Sequence, residues 1–147
     1  MRTLVILFTL IASVCAKSSF ANDGTAVAPE VLRNFQSTFA AAQEADWSVT
    51  ADMYKVQFQM NGQRITAFYK NDGTMAALTR NITSTQLPVS LQTTLKNDYK
   101  EYWISDLFEL SNEEGVQYYV TLENADSKVV LKSSSAAWNV FQKERKD

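Results

Sequence analysis

Residues 53–73 read MYKVQFQMNGQRITAFYKNDG, and the fold is decided in this stretch. Tyr54, Val56, Phe58 and Met60 alternate with Lys55, Gln57 and Gln59, the period-two pattern of a strand with one buried face. Asn61-Gly62 follows at once. Both residue types accept positive φ, so the pair predicts a tight hairpin turn. The return strand covers 63–70, and Asn71-Asp72-Gly73 makes a second turn into a third strand over 74–80.

Upstream, Pro29 sits where a first helical turn tolerates proline, and Glu30 beside it suits the positive end of a helix dipole. Leu32, Phe35, Phe39 and Ala42 recur at intervals of three and four, which predicts a helix with one apolar stripe and leaves Arg33, Gln36 and Gln43 outside. Trp47 then opens an extended region. Downstream the order repeats: Pro88 takes the role of Pro29, Leu91, Leu95 and Tyr99 form the stripe, and Trp103 stands in place of Trp47. A strand over 104–110 turns at Asn112-Glu113-Glu114-Gly115, and Val116, Tyr118, Val120 and Leu122 point inward on the next strand. Asn124-Ala125-Asp126 leads into 128–132, and 136–142, with Trp138, Val140 and Phe141, closes the sheet. A constant offset aligns Ile65, Ala67 and Tyr69 with Tyr118, Val120 and Leu122. The expectation is an α+β fold: a tandem repeat (29–80 and 88–143) of one helix plus three to four antiparallel strands, merged into a continuous antiparallel sheet with both helices packed on one face.

The chain opens with Arg2 and an apolar run from Leu4 to Val14, the charge-then-apolar order of a secretory signal peptide and too short to span a bilayer. Met1 to about Ala21 is therefore expected to be removed, with cleavage after Ala16 or Ala21, and residues 22–28 to form a linker. Cys15 is preceded by Val14 and Ala12, a poor match to a lipid-anchoring cysteine, and it is the one cysteine of the sequence. The mature chain then has neither disulfides nor thiol chemistry. No second apolar segment reaches transmembrane length. The sequence is acidic overall, with a net charge of −2, and its one basic cluster, Lys143, Arg145 and Lys146, is terminal; this argues against nucleic-acid binding.

The chain resembles the PepSY-like, beta-lactamase-inhibitor-like (BLIP-like) periplasmic domains of secreted proteins from Bacteroidetes-type bacteria. The resemblance runs over 29–143. It is carried by the helix and tryptophan at Pro29 and Trp47, by Ala67-Phe68-Tyr69-Lys70-Asn71-Asp72-Gly73-Thr74, by Ile82-Thr83-Ser84-Thr85-Gln86-Leu87-Pro88 leading into Leu95-Lys96-Asn97-Asp98-Tyr99, and by Trp138-Asn139-Val140-Phe141-Gln142-Lys143. It implies a tandem αβββ domain in the periplasm or outside the cell, with protein or peptidase binding and no established catalysis. Asn124-Ala125-Asp126 departs from the Asp-Gly turn expected in the second unit.

No histidine occurs in the sequence, so Ser-His and Cys-His catalysis cannot be assembled. Lys132 beside Ser133, Ser134 and Ser135 leaves a Ser-Lys pair formally open, but adjacency in a chain does not bring a base onto a nucleophile. Asp72, Asp126 and the pair Glu113-Glu114 fall in turns, where solvated turn chemistry is the ordinary role. No metal and no cofactor is expected. Phe68 and Tyr119 alternate out of the inward series and are the candidate protein-binding surface, where aromatic rings give contact area at small entropic cost. Trp47, Trp103 and Trp138 are expected in the core or at helix–sheet junctions. The expected function is a non-catalytic, periplasmic or secreted module that binds a protein or peptide. The alternative is a small-molecule or lipid carrier with an apolar pocket lined by Phe39, Phe58 and Tyr118.

Overall fold

The computed structural model describes residues 26–147. The signal peptide, its cleavage positions and Cys15 lie outside these residues. Helix α1, Pro29–Thr38, has Pro29 in its first turn and ends where Phe39 N–H bonds the carbonyl of Phe35 at 2.8 Å. Its buried side chains are Val31 and Phe35, with Phe39 buried just past the end. The expected stripe therefore shifts by one position at its start, and Ala42 lies beyond the helix.

Strand β1, Gln43–Val49, follows. It is an edge strand of sequence QEADWSV, in which only Ala45 and Trp47 are half-buried. Trp47 thus lies inside a strand rather than opening one. Strands β2 (Met53–Met60) and β3 (Gln63–Lys70) form the expected hairpin, with Asn61 at φ 52° and Gly62 at φ 74°, as the tight turn requires. Strand β4, Met75–Asn81, completes the first half.

A turn of 3-10 helix at Ser84–Gln86 leads to α2, Val89–Asp98, which Pro88 precedes and which buries Leu91 and Leu95. Strands β5 (Trp103–Asn112), β6 (Gly115–Glu123), β7 (Ser127–Ser134) and β8 (Ala137–Arg145) follow. The eight strands form one antiparallel sheet in chain order. Each helix is followed by four strands.

Two apolar clusters fill the space between helices and sheet. Val31, Phe35 and Phe39 cover Val56, Phe58, Ile65, Ala67 and Tyr69. Leu91 and Leu95, with Ile82 and Leu87, cover Leu107, Val120, Leu122, Val129 and Leu131. Val116, expected inward, is 55% exposed, because it sits at the β5–β6 turn beyond the reach of α2. The offset that matched Ile65, Ala67 and Tyr69 to Tyr118, Val120 and Leu122 sets the third strand after α1 against the second after α2. Element order instead matches the α1 set Val31, Phe35 and Phe39 to Leu91, Leu95 and Tyr99. The difference arises from β1, whose polar sequence carries too weak an alternation to be counted as a strand.

Candidate binding surface

Successive strand residues project to opposite faces of a sheet. Leu107, Val120 and Leu131 are covered by α2, so their neighbours Phe108, Tyr119 and Lys132 lie on the face away from that helix. Register aligns them: Phe108 pairs with Tyr119 across β5 and β6, and Tyr119 with Lys132 across β6 and β7. The Phe108 and Tyr119 rings stack with centroids 5.1 Å apart and planes within 7°. Phe141 meets Tyr119 edge-on at 5.7 Å, and Lys132 Nζ stands 5.6 Å from the Tyr119 centroid. Phe141 is 61% exposed. Pairing skips Phe141, since Val130 faces Gln142 and Leu131 faces Val140, and such a bulge re-aims a side chain.

Phe68 is half-buried and lies between Lys55 of β2 and Ala77 of β4. Three strands and four further residues of register separate it from Tyr119, a distance on the order of 20 Å. The two residues singled out from the sequence are not brought together. Sequence reading missed Phe108 and Phe141. Counting back from the turn pair Asn112 and Gly115 reaches Phe108 opposite Tyr119, so that signal was present. The bulge that sets Phe141 has no sequence mark.

No family model and no curated protein matches the chain. Solved structures do. A BLIP-like protein from Bacteroides fragilis NCTC 9343 superposes with TM-score 0.67 at 16% identity, over 82% of this chain and 87% of its own. The chain has the BLIP-like fold. A DUF2874 family protein from Bacteroides ovatus ATCC 8483 gives 0.71 at 13% identity over 83% and 89%. A protein from Bacteroides eggerthii DSM 20697, described as a candidate periplasmic protein, gives 0.72 at 12% identity over 82% and 90%. No helix among the described residues is long and apolar enough to cross a membrane.

On this BLIP-like framework the tryptophans divide. Trp47 packs edge-on to Phe35 at 5.2 Å, and Trp138 donates its indole N–H to the carbonyl of Leu91 at 3.0 Å, tying β8 to α2. Trp103 departs from the expected core role. It is 54% exposed, with Lys146 Nζ 5.0 Å from its ring, and Lys146 also meets Glu123 at 3.1 Å and the carbonyl of Asn124 at 3.0 Å. The Ser105 hydroxyl and Lys146 hold the Glu123 carboxyl below its ordinary pKa.

Ser133 and Asp72, also singled out by sequence, have structural partners. Lys132 and Ser133 are consecutive strand residues on opposite faces, and the Ser133 hydroxyl accepts the Tyr118 N–H at 2.8 Å. Asp72 accepts the backbone N–H and hydroxyl of Thr74 at 2.9 and 2.6 Å, and these bonds lower its pKa. Phe39 and Phe58 close on each other at 4.8 Å while Tyr118 packs in the other cluster, so these three side chains line no common cavity. Arg80 makes a two-pronged bond to Glu109 at 3.0 and 3.2 Å across β4 and β5, the strand pair that joins the two halves.

Proposed function

We propose that the protein is a non-catalytic module, exported by its leader to the periplasm or beyond, that binds a protein partner on the sheet face opposite the helices. Tyr119 is the anchor, flanked by Phe108 and Phe141. The observation that carries this reading is the aromatic cluster itself. Three rings and a lysine gather on a face that α2 does not cover, and Phe141 remains largely exposed. Aromatic side chains with a cation beside them are what energetic centres of protein interfaces are made of. The partner that fits presents an apolar or aromatic side chain to Tyr119 and a carboxylate to Lys132.

In this reading the chain is two related units of one helix and four strands, with both helices on one face. Register supports it: Leu78 packs in the α1 cluster, Arg80 two residues on shares its face and bonds Glu109, and Glu109 pairs with Tyr118, which packs in the α2 cluster. Phe68 then lies on the same open face as Tyr119, at the margin of the surface.

A pull-down from periplasmic extract, comparing wild type with Tyr119→Ala/Phe141→Ala, tests the proposal. A partner held by wild type and lost by the double variant is expected. Equal recovery by both, with the variant folded by circular dichroism, would overturn it.

A further inference from the structure

The second helix leaves part of its end of the sheet uncovered. Past Leu95, the cleft between α2 and the start of β5 widens into an open cavity of about 400 Å³. Its floor is Leu95, Ile104 and Leu122, and its walls include Tyr99 and Tyr102, whose rings meet edge-on at 5.7 Å. Ile104 is 41% exposed although its pairing partner Leu122 is buried, so an apolar side chain is left facing the cleft. The ionised side chains of the lining are Lys96 and Lys100, both exposed.

These features define a ligand chemistry. Small-molecule sites are concave and mostly apolar, with a few polar groups that fix orientation, and span roughly 300–1,000 Å³. Lysine stems extend the apolar wall while their ammonium groups remain in water. Burial, and after it the neighbouring Asp98 carboxylate, pushes the Tyr99 phenol above its ordinary pKa, and the phenol is a neutral O–H donor at physiological pH. The carboxyl end of α2 carries a partial negative charge, which directs an anionic group outward to the lysines rather than beneath the helix end.

We propose that this cleft is a second binding site, separate from the sheet-face cluster, for a small amphipathic carboxylate. Its aliphatic or single-ring body rests on Leu95, Ile104 and Leu122, and its carboxylate lies between Lys96 and Lys100.

The test is an NMR titration of the isotope-labelled protein with sodium octanoate, beside octanol as the neutral analogue of equal length. Saturable amide shifts are expected in 95–104 and at Leu122, with octanoate binding more tightly than octanol. Lys96→Gln/Lys100→Gln should weaken octanoate about tenfold and leave octanol unchanged. These lysines are exposed, so the variant tests binding rather than folding. Tyr119→Ala should leave octanoate binding intact, which separates this site from the proposed protein surface. The proposal is overturned if octanoate gives no shifts up to roughly 10 mM. Shifts centred on Tyr119 would also overturn it, as would octanoate affinity that equals that of octanol and survives loss of both lysines.

Discussion

The two halves of the sheet differ in which aromatic rings they bury. Under α1 the core is aromatic: Phe35 touches Phe39, Trp47 and Phe58, and Trp47 approaches Tyr69. Under α2 the buried core is leucine, valine and isoleucine, while Phe108, Tyr119 and Phe141 gather on the other face and Tyr99 and Tyr102 rim the cleft. One helix thus covers a core filled with rings, and the other a core filled with aliphatic side chains. Aliphatic side chains form the buried centre of the second half, with Tyr118 and Trp138 packed at its margin, while Phe108, Tyr119 and Phe141 form the proposed binding surface.

The largest effects should come from emptying the first core. Phe58 is 1% exposed and packed between Phe35 and Phe39, so Phe58→Ala should cost about 4 kcal/mol, read from urea unfolding. Leu131, fully buried in the second core, should cost about 3 kcal/mol on change to alanine. Fluorescence and circular dichroism should give coincident transitions for both variants, since one sheet and the Arg80–Glu109 bond join the halves. Separate transitions would show two independently folding halves and break the comparison.

Next in size is the displayed set. Tyr119→Ala should reduce partner affinity by about 2 kcal/mol or more, measured by calorimetry. Phe68→Ala, at the margin, should lose less than about 1 kcal/mol. The reverse ranking would move the binding centre into the first half.

Much of this layout was legible in the sequence because strong local signals carried it. The β2–β3 hairpin matched to the residue, since strict alternation met an Asn-Gly pair whose backbone takes the positive φ values such a turn needs. Both helix starts followed from proline. Strand β1 was lost because an edge strand with Gln43, Glu44, Asp46 and Ser48 buries too little to show a period. The aromatic cluster was half legible. Tyr119 stood out by alternation, whereas Phe108 needed cross-strand register and Phe141 needed a bulge, both properties of pairing rather than of one segment. The cleft under α2 depends on where a helix stops relative to a strand, which no local pattern records.

A smaller effect separates two glycines of the first half. Gly73, at φ 88°, lies against α1, where an added Cβ would meet Asn34 Nδ2 at 3.1 Å and Glu30 Cβ at 3.2 Å, and its carbonyl accepts a bond from Asn34. Gly62, at φ 74°, has nothing within 4 Å of that position. Gly62→Ala should therefore carry only the left-handed backbone penalty of about 1 kcal/mol. Gly73→Ala should cost about 2 kcal/mol by adding the crowding of helix and turn. Equal losses in urea unfolding would mean that the β3–β4 turn does not bear on α1.

The smallest expected effect distinguishes the turns that end the two halves' hairpins. Asp72 after β3 and Asn124 after β6 each accept bonds from residues two or three ahead through one side-chain oxygen, at 2.9 and 2.6 Å for Asp72 and at 2.9, 2.8 and 3.1 Å for Asn124. Only Asp72 titrates. Thr74, by its hydroxyl and then its backbone N–H, lowers the Asp72 pKa from 3.8. A carboxyl depressed in the folded state contributes stability above its unfolded pKa and loses it as pH falls through the folded one. The Asp72 contribution should thus be complete at neutral pH and fade below about pH 4. Asp72→Asn retains the acceptor oxygen and removes the titration, so its urea midpoint should fall less steeply from pH 4 to pH 2 than that of wild type. Parallel profiles would show that acid sensitivity arises elsewhere, and that aspartate and asparagine are equivalent in these turns.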